Sequence, residues 1–218
     1  MKKILNLLMI FMLILMTGCG GESQDKTPAE PEKKSVDKAP VKTSADKKIL
    51  VVYFSRIGEE YNVGNITKGN TEIIAEMIAK KVGGDLFEVK PATPYPNEYE
   101  ACTELAKKEL ESNARPAFEK NIDNLAQYDT IFIGYPIWWG TLPRVLLNFI
   151  ESNDFSGKKI IPFCTHGGSG LAGTEREIKD ACPKAEVLQG LAIVGKTAQN
   201  DSAAAEKDVD AWLKNLGY

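Results

Sequence analysis

Apolar positions along this chain follow two alternating periods. Short unbroken runs, rich in β-branched and aromatic residues and bounded by turn residues, read as strands buried on both faces. They cover Lys48 to Phe54, Asp85 to Lys90, Thr130 to Gly134, Lys159 to Cys164 and Ala185 to Val194. Between them the spacing becomes helical. Ile73, Ile74, Met77, Ile78 and Val82 share one face of a helix that Asn70-Thr71 opens and Gly83-Gly84 stops. Glu72 near its start and Lys80-Lys81 near its end suit the helix dipole. Further helices are predicted over Glu98 to Ser112, Leu142 to Glu151, Thr174 to Ala181 and Ala203 to Leu216. Pro143 falls in a tolerated first turn, and Asp201 or Ser202 caps the last helix. Gly190 marks a bulge or a close approach inside the fifth strand. Pro91, Pro94 and Pro96 stiffen the loop before the second helix.

Strands that alternate with helices predict an α/β domain, a three-layer sandwich around a five-stranded parallel sheet. Right-handed crossovers and the domain length fit the doubly wound strand order 2-1-3-4-5, with its switch point between strands one and three. There is no internal repeat.

The N-terminal pattern is different. Lys2-Lys3 precede an unbroken apolar run from Ile4 to Met16, of signal-peptide length and too short to span a bilayer comfortably. The run ends in Met16-Thr17-Gly18-Cys19, which resembles a bacterial lipoprotein signal, although Met16 stands where leucine is commoner. That resemblance implies cleavage after residue 18, lipidation of Cys19 and attachment to a membrane through acyl chains. The competing reading is an ordinary cleaved signal with a chance cysteine. Gly20 to Asp46 holds no aromatic residue, and Val36 and Val41 are its only larger apolar side chains. Such a segment buries too little apolar surface to offset its ordering entropy, so residues 19–46 read as a disordered tether and 47–218 as the domain.

Charge adds little to this picture but excludes one class. The formal net charge is -3, and no basic excess points to nucleic acid. Loss of Lys2 and Lys3 with the signal leaves about -5, and the near-neutral tether leaves the domain about -4. Apart from Cys19 there are Cys102, Cys164 and Cys182, with no CxxC or His-Cys spacing that would hold zinc or form a redox dithiol. One disulfide is possible outside the cytoplasm; buried free thiols are the simpler reading.

Chemistry enters at the loops that leave one sheet edge after strands one, three and four. Such edges bind ligands in open α/β sheets. The first, Ser55 to Thr71, begins and ends with hydroxyls, and Gly69-Asn70-Thr71 sits at a helix N-terminus, where exposed N–H groups and the dipole favour an anion. It is neither a Walker A loop nor GxGxxG. The second, Tyr135-Pro136-Ile137-Trp138-Trp139-Gly140-Thr141, carries two adjacent tryptophans past a proline. Adjacent side chains on extended backbone face opposite ways, so at least one indole is free to meet a flat ligand. The third, Thr165-His166-Gly167-Gly168-Ser169-Gly170, permits close backbone approach to a planar ring. His166 is the chain's single histidine. It reads as ligand-adjacent packing or a loop residue, with acid/base chemistry as the alternative.

These stretches, YFSR with KGNT, YPIWWGTLP and FCTHGGSG, each after a predicted strand, resemble the flavodoxin-like family over about Lys47 to Tyr218. The resemblance implies noncovalent FMN. Ser55, Arg56, Gly69, Asn70 and Thr71 would hold its phosphate. Pro136, Ile137, Trp138, Trp139 and Gly140, with Thr165, His166, Gly167, Gly168, Ser169 and Gly170, would flank its ring. The family's phosphate loop is compact, whereas here about a dozen residues separate Arg56 from Gly69. That pattern looks like a subgroup with an insertion, in which Lys68 could add charge and Tyr61 could cover the ligand. The implied function is electron transfer with a redox partner protein or a small-molecule acceptor, at the outer side of a bacterial membrane. The alternatives are an FMN-dependent oxidoreductase that passes electrons from NAD(P)H to quinone-type acceptors, and a binding module of the same fold without flavin.

Overall fold

The computed structural model describes residues 48–218. The signal segment 1–18, the lipidation position Cys19 and the tether 19–46 lie outside the described residues. Strand β1 (Lys48–Tyr53) is followed by two short strands, β2 (Gly58–Glu60) and β3 (Gly64–Ile66), and by helix α1 (Asn70–Val82). Then come β4 (Asp85–Glu88), α2 (Tyr99–Glu111), a 3-10 turn (Leu125–Gln127), β5 (Tyr128–Pro136) and α3 (Arg144–Glu151). The chain ends with β6 (Lys159–His166), α4 (Thr174–Ala181), β7 (Glu186–Val187), β8 (Leu191–Val194), α5 (Gly195–Asn200) and α6 (Ser202–Leu216).

The main sheet runs β4-β1-β5-β6, with β7 and β8 both on the outer edge of β6, and every pair is parallel. This is the expected order 2-1-3-4-5, with one correction: the fifth strand is two pieces. Pro162 of β6 explains the break. The Ile160 carbonyl faces the outer edge, where it accepts from Leu188 N–H at 2.9 Å. Strand alternation turns Pro162 the same way, and proline has no N–H to offer. Pairing lapses there and resumes at Phe163 with Leu191. Gly190 fills the gap as a close approach: a Cβ on it would meet the Pro162 carbonyl at 3.0 Å, and its N–H donates to Glu175 Oε1 at 2.6 Å.

Alternation along the strands divides the core. Leu50, Val52, Ile131, Ile133 and Ile160 pack under α3 and α4 with Leu146, Phe149 and Ile178. Val51, Phe132, Ile161 and Phe163 pack under α1 and α6 with Ile74, Ile78, Val209 and Trp212. Each such burial stabilises by roughly 1.5–3 kcal/mol, which pins the strand register and therefore the loops that leave the sheet.

Two further boundaries differ from expectation. Pro143 stands one position before α3 as its N-cap, with its carbonyl accepting from the Leu146 and Leu147 N–H groups at 3.0 and 3.1 Å. Helix α5 was not read from the sequence; with only Gly195 and Ala198 buried, it has no apolar stripe to betray it. Asp201 caps α6, accepting from Ala204 N–H at 3.0 Å. Cys102, Cys164 and Cys182 are buried free thiols. Among the described residues no helix is long and apolar enough to cross a membrane.

Candidate functional site

The ends of β5 and β6, the start of α1 and the start of α5 border a cleft of about 420 Å³. That volume lies within the roughly 300–1,000 Å³ of small-molecule sites. Of the residues singled out in the sequence, Arg56, Asn70, Pro136, Ile137, Trp138, Trp139, Thr165, His166 and Gly167 line it. Ser55, Gly69, Thr71, Gly140, Gly168, Ser169 and Gly170 do not; most of them shape the loops behind the lining.

Ser55 and Gly69 form the floor of the first loop. Ser55 Oγ accepts from Glu72 N–H at 3.2 Å and packs directly on Gly69, where no Cβ would fit. Glu72 Oε2 in turn accepts from Gly69 N–H at 3.3 Å, a capping-box arrangement. The Asn70 and Thr71 N–H groups have no acceptor among the described residues and stand at the positive end of α1. Asn70 Oδ1 is buried with no partner. Thr71 Oγ1 lies 2.8 Å from Thr165 Oγ1, both side chains buried, so the first and third loops are tied together. One hydroxyl proton suffices for that bond, which leaves the second uncommitted. Arg56 is used differently. Its Nη1 donates to the Glu59 carbonyl and to Glu60 Oε1, each at 2.9 Å. Its Nη2 donates to the Pro96 and Asn97 carbonyls at 3.2 and 2.8 Å, and its Nε is buried without a partner. Ser55 and Arg56 also line a second depression of about 320 Å³, where Glu72, Glu88 and Glu119 face one lysine, Lys90, and disfavour an anion.

In the second loop the two tryptophans separate, as side chains on adjacent positions must. Trp138 packs edge-on against Phe54 and Tyr95, with ring centroids at 5.3 and 4.8 Å. Trp139 is 55% exposed at the lip, where its indole N–H donates to the Thr103 carbonyl at 2.9 Å. Trp138 and Thr141 exchange both backbone hydrogen bonds at 3.1 Å. The two residues between them, Trp139 and Gly140, have φ of 52° and 76°. That is a type I′ turn, which normally takes Asn-Gly, and a bulky side chain in the left-handed region is strained. The turn is held by a partly buried network. Thr141 Oγ1 donates to Glu177 Oε2 at 2.5 Å, and Leu142 N–H donates to the same oxygen at 3.1 Å. Arg144 Nη2 donates to Thr141 Oγ1 at 2.7 Å and pairs with Glu177 Oε1.

In the third loop, His166 Nδ1 accepts from Gly168 N–H at 2.9 Å and Gly170 N–H at 3.2 Å. Only an unprotonated Nδ1 can accept, and burial lowers the pKa of the ring, in agreement with a neutral imidazole. Gly167 is a close approach: a Cβ on it would meet the Tyr61 ring at 2.8 Å.

The opposite wall was largely missed. Residues 58–66 form an antiparallel hairpin, β2 with β3, that brings Glu60 and Tyr61 to the cleft. Helix α2 adds Tyr99, Cys102, Thr103 and Ala106, and the α5 start adds Gly195. The sequence signals were the two glycines, Gly58 and Gly64, bracketing Tyr61-Asn62, and the Pro94-Tyr95-Pro96 stretch that receives the Arg56 side chain. Burial, opposed by Arg56, raises the Glu60 pKa, and burial pushes the Cys102 thiol up to about 11, so that thiol is unreactive at neutral pH. Among the described residues no cluster of acidic, histidine or cysteine side chains could hold a metal ion.

Residues 48–216 match the family model described as Flavodoxin. No curated protein matches the chain. Among solved structures, a candidate flavoprotein from Bacteroides eggerthii is 32% identical over 79% of this chain and 99% of that one, with a TM-score of 0.64. A second, from Bacteroides uniformis, is 33% identical over 77% and 98%, with a TM-score of 0.63. A flavoprotein from Lactobacillus acidophilus, solved in complex with FMN, is 20% identical over 72% and 99%, with a TM-score of 0.53, and shares the fold.

Proposed function

The chain belongs to the flavodoxin family, and from that premise we propose that it binds FMN noncovalently in the 420 Å³ cleft and transfers electrons at the outer side of a bacterial membrane. The observation that carries the reading is the convergence of three separate loops on one cleft at the switch point of the sheet. The residues fit the cofactor. The unpaired N–H groups of Asn70 and Thr71 and the spare proton of the Thr71–Thr165 pair are neutral donors for a phosphate. Asn70 Oδ1, buried and unpaired, marks a polar position that a ligand would satisfy. Trp138 and Trp139 offer indole surface to a flat ring, and Gly167 lets it approach the backbone. Related members of the fold support the choice of cofactor, since the Lactobacillus acidophilus protein carries FMN.

FMN supplies the redox chemistry; this chain's residues bind it, orient it and set the charge around it. We read residues 57–68 as an insertion in the phosphate loop, and Cys19 as the lipidated residue that holds the domain at the membrane through the 19–46 tether. Electrons would pass to a redox partner protein or to a small-molecule acceptor. The acidic domain, about -4, disfavours an anionic reduced flavin, so a midpoint potential below that of free FMN is expected. A potential well above free FMN contradicts this.

A second reading, direct reduction of quinone-type acceptors with NAD(P)H, is favoured by the second wall of the cleft, where Tyr61, Tyr99 and Trp139 line the opening with aromatic surface. Steady-state NAD(P)H oxidation by the flavin-loaded protein separates the two. A colourless protein that takes up no added FMN leaves only a flavin-free binding module.

A further inference from the structure

We infer that helix α5 braces the anion end of the cleft, with Gly195 and Gln199 as positioning residues for the Asn70–Thr71 cradle, so that both govern how tightly the site holds a phosphate monoester. The inference rests on the flavin reading, because it assigns the residues that shape the phosphate end of the same cleft.

The sheet places α5. Val194 ends β8 in register with His166, the last residue of β6. The next residue, Gly195, therefore starts the helix beside the third loop, where it lines the cleft. Ala198 is buried in the core that carries Ile74 and Ala75 of α1. Gly195 and Gln199 are four residues apart and share one face of the helix. Both meet the start of α1, on either side of its N-cap Gly69.

Gln199 acts on the near side. Its Nε2 donates to the Lys68 carbonyl at 2.5 Å. Among the described residues no other hydrogen bond holds the backbone of Thr67 or Lys68. The Lys68 side chain is committed elsewhere, to Glu76 on α1, so this residue serves the cradle through its carbonyl. Gly195 acts on the far side. Its φ lies outside the left-handed region, so the backbone there would accept any residue. The space would not: a Cβ would meet Asn70 Nδ2 at 2.7 Å. The Asn70 side chain makes no hydrogen bond among the described residues, and its Oδ1 is buried. Packing on Gly195 is thus what sets the position of that amide. Hydrogen bonds to an anion are directional, and the Asn70 and Thr71 N–H groups follow the backbone that Gln199 holds. Neither α5 residue supplies charge, so the brace acts through geometry alone.

The test compares FMN with riboflavin, which lacks only the phosphate, by titrating the purified protein and its variants and following flavin fluorescence. Gln199→Leu removes the donor at similar volume. Its FMN affinity should fall about fivefold, the worth of one hydrogen bond, with riboflavin affinity changed by less than about twofold. Gly195→Ala should also weaken FMN about fivefold. Because Gly195 acts through the Asn70 side chain, adding Gly195→Ala to Asn70→Ala should cost less than about a further twofold. Equal losses of FMN and riboflavin affinity in Gln199→Leu overturn the proposal, since they would mean general loosening. Additive losses in the double variant, or unchanged FMN affinity in both single variants, overturn it too. If the protein takes up no FMN, the flavin reading fails separately, and amide exchange in the flavin-free protein decides the brace. The Gly69 and Glu72 amides, both bonded inside the cradle, should then exchange faster in Gln199→Leu than in wild type; equal rates overturn it.

Discussion

The two walls of the cleft are built from different material. The sheet-edge wall is interlocked: Thr71 bonds Thr165, Ile137 N–H donates to the Thr165 carbonyl at 2.9 Å, and Glu177 with Arg144 anchors the tryptophan turn. Behind it stand fully buried residues of β5 and β6. The hairpin wall has two strands of three residues each. It is held by the Arg56 side chain, by Glu59 N–H donating to the Asn97 carbonyl at 2.8 Å, and by Tyr99 N–H donating to Glu59 Oε2 at 3.0 Å. Little of it is buried, so it can shift without disturbing the core. The lesson is a division of labour. The sheet-edge wall draws its geometry from the sheet, and the hairpin wall hangs on a loop that the sheet does not fix.

The largest expected effect lies on the sheet-edge wall. Trp138→Ala should cost about 3 kcal/mol in urea unfolding, because it empties a position packed against Phe54 and Tyr95. Trp139→Ala should cost far less, and equal losses in the two variants would break the distinction between them. Next, Glu177→Leu leaves Arg144 buried without its partner and should cost about 3 kcal/mol, most of it recovered in the double variant with Arg144→Met. A double variant as unstable as the single one would mean that the network is not what holds the turn. Trp139→Asn relieves the left-handed strain and should raise stability by about 1 kcal/mol while flavin affinity falls, measured by thermal unfolding and flavin titration. On the hairpin wall, Gly167→Val places a side chain where the Tyr61 ring lies. Amide exchange in residues 58–66 should quicken, with global stability changed by less than about 1 kcal/mol. A global loss as large as that of Trp138→Ala would show that the hairpin is part of the core.

The smallest effect is a pH dependence. Burial lowers the folded-state pKa of His166, and its Nδ1 accepts two loop bonds only when neutral. Its contribution is therefore present above the usual histidine pKa and is lost as pH falls through the folded value. Exchange protection of the Gly168 and Gly170 amides should fall on acidification in wild type and lose that dependence in His166→Ala.

Much of the sheet-edge wall was legible because it obeys periodic rules. The runs at Lys48, Thr130 and Lys159 fix three neighbouring strands, and the residues just past their ends must meet at one edge. Which indole turns inward was not legible, since that depends on the type I′ turn closed by Thr141 and Glu177, residues far apart in sequence. The split of the fifth strand was foreshadowed by Gly190 and, more directly, by Pro162, whose missing N–H faces that strand. The hairpin wall left the weakest signal. Its strands are too short for a period, and Arg56, which reads as a phosphate ligand beside Ser55, reaches across to Pro96 and Asn97 instead.

The interlocked wall is the proposed flavin site. Titration of the purified protein with FMN, followed by the shift of flavin absorbance and quenching of flavin fluorescence, tests it directly. One FMN per chain, bound more weakly when Asn70 is replaced by alanine, is the expected result; a protein that leaves the FMN spectrum unchanged at saturating concentration contradicts it.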